Sequence, residues 1–379
     1  MTLPRGSVLG VFGGGQLGRM FAQAAGQLGY PVHVYDPDPR APAAAVSAQH
    51  TRAPYEDLES VRHFASAVEA VTYEFENIPP NTLNAISKAV PVRPDPHILF
   101  VTRNRLREKG FLKERGIPVT LFAPAHSPDE ARAVMTAPQG GFILKTTEWG
   151  YDGKGQVSVP NADALPAAWD TLGRPQEVIV EQRIDLAAEC SVLIARDAAG
   201  RHVLYGPFHN THRNHILDTV TWTADEDTPL ARRAREMGST VADAFDLVGL
   251  LCVELFVARD GTVMINEIAP RPHNSGHLTI EACSVSQFAQ QALLTADHAA
   301  QPWSPIAPAA AMANLLGDLW ADAEPDWSVL NDLPDVTLHL YGKAEARPGR
   351  KMGHLTALAN TADEARERVL RARTRLAEK

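Results

Sequence analysis

The chain has 379 residues, 45% hydrophobic and 21% charged, an ordinary globular balance with material for two or three domains and a sizeable core. A formal net charge of −9 excludes a broad nucleic-acid-binding surface, though not a small basic pocket for a phosphate. Three scattered cysteines exclude a disulfide framework or a zinc site, and Cys190 and Cys252, in apolar strand-like runs, read as buried thiols.

In chain order, "SVLGVFG" reads as a buried strand, "GQLGRMFAQAAGQLG" as a helix and "PVHVYD" as a second strand ending at Asp36. The turn between them, Gly13-x-Gly15-x-x-Gly18, fits the dinucleotide fingerprint, with an acidic residue at about the usual distance. The physics of that loop is generic. Glycines allow close approach, and N–H groups at a helix start favour any phosphate. "APAAAVSAQH" reads as a loop or a frayed helix, and "VEAVTYEF" as a later strand ending in Glu74 and Glu76. Alternating strands and helices imply a parallel sheet, closed by the Pro-rich "VPVRPDPHIL". "NRLREKGFLKERG" reads as a basic amphipathic helix, capped at Asn104 and stopped by Gly116.

From about residue 141 to 270 the pattern changes to strands joined by glycine turns. "GFILKTT" and "QVSVP" flank "EWGYDGKG", which holds Gly150, Gly153 and Gly155 around Lys154. A Walker loop runs from strand to helix; this one joins two strands, so it is either a plain glycine hairpin or a flap that closes over phosphates. Lys145, in the strand itself, is costly unless it meets an anion. "EVIVEQRI" is a strand, "CSVLIAR" and "HVLYGPF" form a hairpin, and residues 229–247 form a helix. "LLCVELFVARDGTVMINEIAP" is a second hairpin. A two-residue loop at Asp260-Gly261 would set Glu254 opposite Glu267 on one face, with Cβ atoms about 4.5–5.5 Å apart. Two adjacent buried carboxylates must share a proton, pair with bases or bind a cation, and hard oxygen ligands suit magnesium.

"EIAPRPHNSGH" then places Arg271, His273, Asn274 and His277 just beyond Glu267, either as a surface loop or as an anion or catalytic pocket. The tail carries short strands, "VTLHLYGK" and "MGHLTAL", and an Arg-rich helix at 362–377. Between the strands, Lys343, Arg347, Arg350 and Lys351 gather as a solvated turn or a phosphate site. No apolar run reaches membrane-spanning length and the N-terminus lacks a signal-peptide pattern, so a cytoplasmic protein is expected.

Taken together, "GGGQLGRM", "TYEFENIP", "GYDGKGQ", "VEQ", "VELFV…INEIAPRPHNSGH" and "GKAEARPGRKMGH" resemble the 5-(carboxyamino)imidazole ribonucleotide synthase family over about residues 7–357. The resemblance implies an α/β and α+β chain of the ATP-grasp fold. Residues 1–103 would form an N-terminal parallel-sheet, Rossmann-like domain, 104–298 the grasp region with its flap, and 299–379 a small C-terminal domain. It implies a homodimer that uses ATP and Mg2+ to carboxylate 5-aminoimidazole ribonucleotide with bicarbonate, without nucleic acid or membrane partners.

The resemblance also implies roles for particular residues. Glu254 and Glu267 would hold magnesium. Arg105, Lys145 and Lys154 would contact ATP phosphates, with Tyr151, Asp152, Gly153, Gly155 and Gln156 in the flap. Glu181, Gln182 and Glu189 would hold the adenine and ribose ends, and Asn266, with Glu267, would also contact ATP. Arg271, His273, Asn274 and Lys351 would surround bicarbonate and its acyl phosphate. Gly15, Gln16, Leu17, Glu74, Tyr151, Arg271, Lys343 and Arg350 would bind the ribonucleotide.

The chain departs from the family's pattern in places. Glu148 and Trp149 stand where a basic residue and two glycines are common, and Glu148 is expected to point outward. Asn104 replaces a frequent Asp, and His215 a frequent glycine. Rival readings are another ATP-grasp ligase (a formate-using transformylase or a biotin carboxylase), an NAD-dependent oxidoreductase, and an inactive nucleotide sensor.

Overall fold

The computed structural model describes residues 2–135, 141–148, 150 and 154–378. The expectations for Trp149, Tyr151, Asp152 and Gly153 lie outside the described residues.

The N-terminal unit alternates β1 (Leu9–Phe12), α1 (Gln16–Gln27), β2 (Val32–Tyr35), β3 (Gln49–Thr51), α2 (Leu58–Ala65) and β4 (Ala70–Tyr73). Its sheet is parallel, in the order β3-β2-β1-β4. β1, β2 and β4 are buried at every residue, as a parallel sheet covered on both faces requires. "APAAAVSAQH" forms no α-helix; it holds a 3-10 turn at Ala44–Val46 and runs into β3. α3 (Pro80–Ser87) and α4 (Pro96–Thr102) complete the unit.

α5 (Arg105–Glu114) begins where Asn104 accepts from the Leu106 and Arg107 N–H groups at 3.1 and 3.0 Å, and the chain leaves it through Gly116 at φ +67°. It is no simple solvated helix: Glu108 and Lys109 are 2% and 1% exposed. Next come β5 (Phe122–Ala125), α6 (Pro128–Val134), β6 (Phe142–Thr146), β7 (Gln156–Val159), α7 (Leu165–Thr171) and β8 (Val178–Gln182). Their strands form a small antiparallel sheet, β5-β8-β6-β7.

The remaining strands make one sheet. β9 (Leu186–Arg196), β10 (His202–Arg213), β11 (Ile216–Thr223), α8 (Pro229–Ala244), β12 (Gly249–Ala258), β13 (Val263–Ala269), α9 (Thr279–Ala282) and α10 (Gln287–Thr295) lead to β14 (Ala309–Leu316), β15 (Val336–Leu340), β16 (Lys351–Ala359) and α11 (Ala362–Ala377). The order is β13-β12-β9-β10-β11-β14-β16-β15. The C-terminal strands continue the central sheet through the β11–β14 pair. β14 reads AAAMANLL; its alanines let α11 pack close, with Ala311 and Ala313 against Ala365, Val369 and Ala372. α8 covers the other end, burying Ala234, Met237 and Val241 with Val192 and Ile194.

All three cysteines are buried, and burial pushes the Cys190 and Cys283 thiols up to about 12, so neither is nucleophilic at neutral pH. No helix of the described residues is long and apolar enough to cross a membrane.

β10 and β11 are joined by Asn214 and His215, at φ +51° and +64°. Two consecutive left-handed residues make the tight hairpin turn that favours Asn-Gly, so glycine would suit position 215 better than histidine. His215→Gly is expected to stabilise the chain by about 0.5–1 kcal/mol, the left-handed strain relieved less the entropy that glycine adds to the unfolded state. A rise in the urea midpoint at constant m-value checks it.

Candidate active site

β12 and β13 place Glu254 opposite Glu267. The route differs from the sequence expectation. The loop has three residues, 259–261, with Gly261 at φ +85°, and by itself would put Glu254 out of register. A β-bulge at Asn266 moves the pairing by one residue and restores the facing pair. The two carboxylates are also unequally placed. Glu254 is 12% exposed at its side chain and its Oε1 lies 2.8 Å from His273 Nε2, whereas Glu267 reaches solvent.

Burial works against ionisation of Glu254, but the His273 charge and hydrogen bond, helped by His212 and Lys351, hold it down at about 2. His273 is pushed up to about 10: burial opposes its charge, and Cys252 and Glu254 outweigh burial. Crowding and the Glu254 charge raise the Glu267 carboxyl, while Arg105 and Lys145 oppose the rise and water contact screens it. Among the described residues no group of three or more His, Cys, Asp or Glu is gathered as a metal cage. Two facing carboxylates, one open to water, suit magnesium, whose other positions go to phosphate and water.

Facing this hairpin, the small sheet contributes Lys145 and Glu181, joined at 3.1 Å and 8% and 2% exposed. Glu181 Oε2 also accepts from Thr120 at 3.2 Å and lies 3.6 Å from Lys109 Nζ. The anion that meets Lys145 is thus a side chain of its own sheet. Glu181 Oε1 is buried without a hydrogen-bond partner among the described residues. Glu189 pairs with His212 at 3.3 Å. Gln182, Gln156 and Gly155 stand on or beside the same sheet, and Lys154 is exposed at the turn before β7. Arg105 donates to the Thr146 and Gly150 carbonyls at 2.7 and 3.0 Å, so it ties α5 to the start of the glycine loop.

Past β13 the chain turns through Arg271, whose Nη2 lies 2.9 Å from Glu76, into a 3-10 turn at Asn274–Gly276. The Asn274 amide exchanges reciprocal hydrogen bonds with Asn314 at 3.1 and 2.8 Å and is 7% exposed. It pins the turn to β14. His277 is wholly buried and accepts from Gln287.

A second, polar pocket of about 80 Å³ lies between the two ends of the chain. Asp38, Arg40 and Pro42 line it from one side, Lys343, Arg347 and Arg350 from the other. Lys343 donates to the Lys351 carbonyl at 2.7 Å and Arg350 to the Glu345 carbonyl at 2.9 Å. The glycine loop lies nearby, but its N–H groups are not all open. Gly14 donates to Asp36 at 2.6 Å and Gly15 to Glu74 at 2.5 Å. Asp36, which also accepts from Tyr55, caps the loop.

Three families match successive parts of the chain: the ribonucleotide synthetase preATP-grasp domain over residues 7–103, the ATP-grasp domain over 110–288, and the phosphoribosylaminoimidazole carboxylase C-terminal domain over 310–368. An N5-carboxyaminoimidazole ribonucleotide synthase of Brucella melitensis is 37% identical, covering 94% of this chain and 98% of the relative. The chain belongs to the N5-carboxyaminoimidazole ribonucleotide synthase family. A bifunctional purine synthesis protein of Dictyostelium discoideum is 36% identical over 94% of the chain, which spans 37% of that longer protein. Among solved members, an ADP complex of an N5-carboxyaminoimidazole ribonucleotide synthetase superposes with a TM-score of 0.90 at 34% identity, covering 99% and 98% of the two chains. The Aspergillus clavatus synthase in complex with ADP and 5-aminoimidazole ribonucleotide gives 0.88 at 28% identity, covering 98% and 99%.

Within the N5-carboxyaminoimidazole ribonucleotide synthase pattern, the two departures near the flap are complementary. Glu148 does not point outward. Its carboxylate lies 3.3 Å from Arg103 and 3.1 Å from Arg107, and accepts from Asn104 at 3.2 Å. An aspartate at 104 would repel it; the asparagine amide donates to it. Glu108 and Lys109 carry no local sequence signal of burial: two charged neighbours in a charged helix read as solvated, and their partners lie far away in the chain.

Proposed function

We propose that this protein joins bicarbonate to the exocyclic amine of 5-aminoimidazole ribonucleotide at the expense of ATP, yielding 5-(carboxyamino)imidazole ribonucleotide, ADP and phosphate. The observation that carries the reading is the position of Arg271. It lies in the turn just past the strand of Glu267 and reaches Glu76, near Glu74 in the chain. In this reading Arg271 links a cleft of ATP type to a second pocket of phosphate type.

In this reading Lys145, Arg105 and Lys154 lie along the ATP phosphates. Glu254 and Glu267 would hold magnesium, which supplies charge neutralisation at the phosphoryl oxygens when bound. Arg271, with His273 and Lys351, offsets charge on bicarbonate as its oxygen takes the γ-phosphoryl group. The mixed anhydride formed is attacked at carbon by the amine, and phosphate leaves. Fixed cations in a dry site favour this transfer and limit hydrolysis of the anhydride. The pocket of Lys343 and Arg350 holds the ribonucleotide phosphate. A homodimer in the cytoplasm belongs to the same proposal.

A phosphate-release assay omitting ATP, bicarbonate or ribonucleotide in turn tests the activity; full release without the ribonucleotide, or with formate in place of bicarbonate, refutes it. Lys343→Ala and Arg350→Ala are each expected to raise the ribonucleotide KM about tenfold or more, since each removes a charged phosphate contact remote from the reacting amine. A change confined to the ATP KM would contradict that placement.

A further inference from the structure

β13 is the end strand of the large sheet: its ladder partner is β12, and on its outer side a single bridge joins Ile265 to Val119. An end strand presents unpaired N–H and C=O groups along its outer side. At residues 266–268 those groups are met by consecutive side chains of α5. Lys109 Nζ donates to the Asn266 carbonyl at 3.2 Å, and Glu108 Oε2 accepts from the Ile268 N–H at 3.0 Å. In an extended strand the carbonyl before a residue and the N–H after it lie on the same side, so the two bonds bracket Glu267. Farther along the edge, Ile265 donates to the Pro118 carbonyl at 2.8 Å.

The bracket falls on the bulge that brings Glu267 opposite Glu254. Asn266 is the extra residue, and its carbonyl has left the regular ladder. Lys109 is anchored in turn, donating to Thr120 at 3.1 Å with Glu181 at 3.6 Å. Burial of both charges is costly, and a hydrophobic contact would serve packing alone. We propose that Glu108 and Lys109 are positioning residues: they clamp the bulged edge of β13 so that the Glu267 carboxylate stays in register with Glu254. The clamp acts through Glu267 and rests on the reading of Glu254 and Glu267 as the metal-holding pair.

The test uses the full chain and Mn2+ with ADP, following free Mn2+ by electron paramagnetic resonance, with no turnover required. Glu108→Met and Lys109→Met keep volume but remove the acceptor and the donor; Glu108→Gln keeps the acceptor. Each methionine variant is expected to bind Mn2+ about tenfold more weakly, as loss of a ligand-orienting partner typically does. Glu108→Gln is expected to stay near the unaltered protein. Hydrogen exchange across 265–269 should quicken in the methionine variants. A merely structural role would lower their melting temperatures and leave Mn2+ affinity of the folded protein unchanged, and that result overturns the proposal. If Lys109→Met does not fold, the contrast between Glu108→Met and Glu108→Gln decides. Glu267→Gln is the control. If it leaves Mn2+ binding intact, the metal reading fails and the clamp with it; if it abolishes binding while the α5 variants bind normally, the clamp alone fails.

Discussion

Glu267→Gln is expected to lose about 10²–10³-fold in kcat for ribonucleotide-dependent phosphate release, the scale on which single electrostatic groups at a developing charge act. The variant should fold, and without ligand it should melt no lower than the unaltered protein. Glu267 reaches solvent and faces Glu254, whose nearest partner is His273 at 2.8 Å. Two like charges side by side are unfavourable in the empty protein, so removing one relieves the fold while weakening the cation site. Activity and stability then move in opposite directions, which separates a functional carboxylate from a structural one. Stabilisation by ADP with magnesium should shrink in the variant, because a ligand stabilises only as far as it binds the native state. Near-normal turnover in a folded Glu267→Gln protein would remove the pair from the mechanism.

The facing pair was legible because strand alternation and a turn signal are local. Its true origin was not: the turn has one residue more than the Asp-Gly signal suggests, and the bulge at Asn266 compensates. A bulge is fixed by what pairs with the strand edge, here Glu108 and Lys109 from a helix about 160 positions earlier. Helix caps read well for the same reason that the bulge did not. Asn104 and Gly116 act within their own turn of chain. The alanine-rich β14 was passed over because alanine carries weak strand preference, and its neighbours β11 and β16 impose the extended form. Glu148 was misplaced because the arginines that meet it belong to a helix junction some forty residues upstream. Charge logic predicted the need for partners but not which ones.

The glycine loop supplies the other large effect. Gly15→Val is expected to lower kcat/KM for the ribonucleotide by about 10²-fold while leaving ATP binding nearly intact, since a displacement of about 1 Å at a positioning group can cost that much. A bulkier residue at a close-approach glycine would by itself block a phosphate directly. The geometry gives a different cause. The Gly15 N–H already donates to Glu74 Oε1, and a Cβ at position 15 would stand 2.7 Å from that oxygen. Valine would therefore expel the Glu74 carboxylate. Burial raises that carboxyl, and the Gly15 hydrogen bond and the charge of Arg271 oppose the rise, so displacing Glu74 also disturbs Arg271. The ATP-type cleft of Lys145, Glu181 and the carboxylate hairpin draws no residue from this loop. A dinucleotide has no comparable support here. Gly14 and Gly15 donate their N–H groups to Asp36 and Glu74, and Asp36 also accepts from Tyr55, so two donors of a pyrophosphate cradle and the ribose-reading carboxylate are already engaged. Calorimetry of the unaltered and Gly15→Val proteins with NAD, NADP, ATP and the ribonucleotide separates these cases. The expected pattern is no NAD or NADP binding, unchanged ATP binding and weakened ribonucleotide binding. Micromolar NAD binding that Gly15→Val abolishes, with ribonucleotide binding untouched, would assign the loop to a dinucleotide after all.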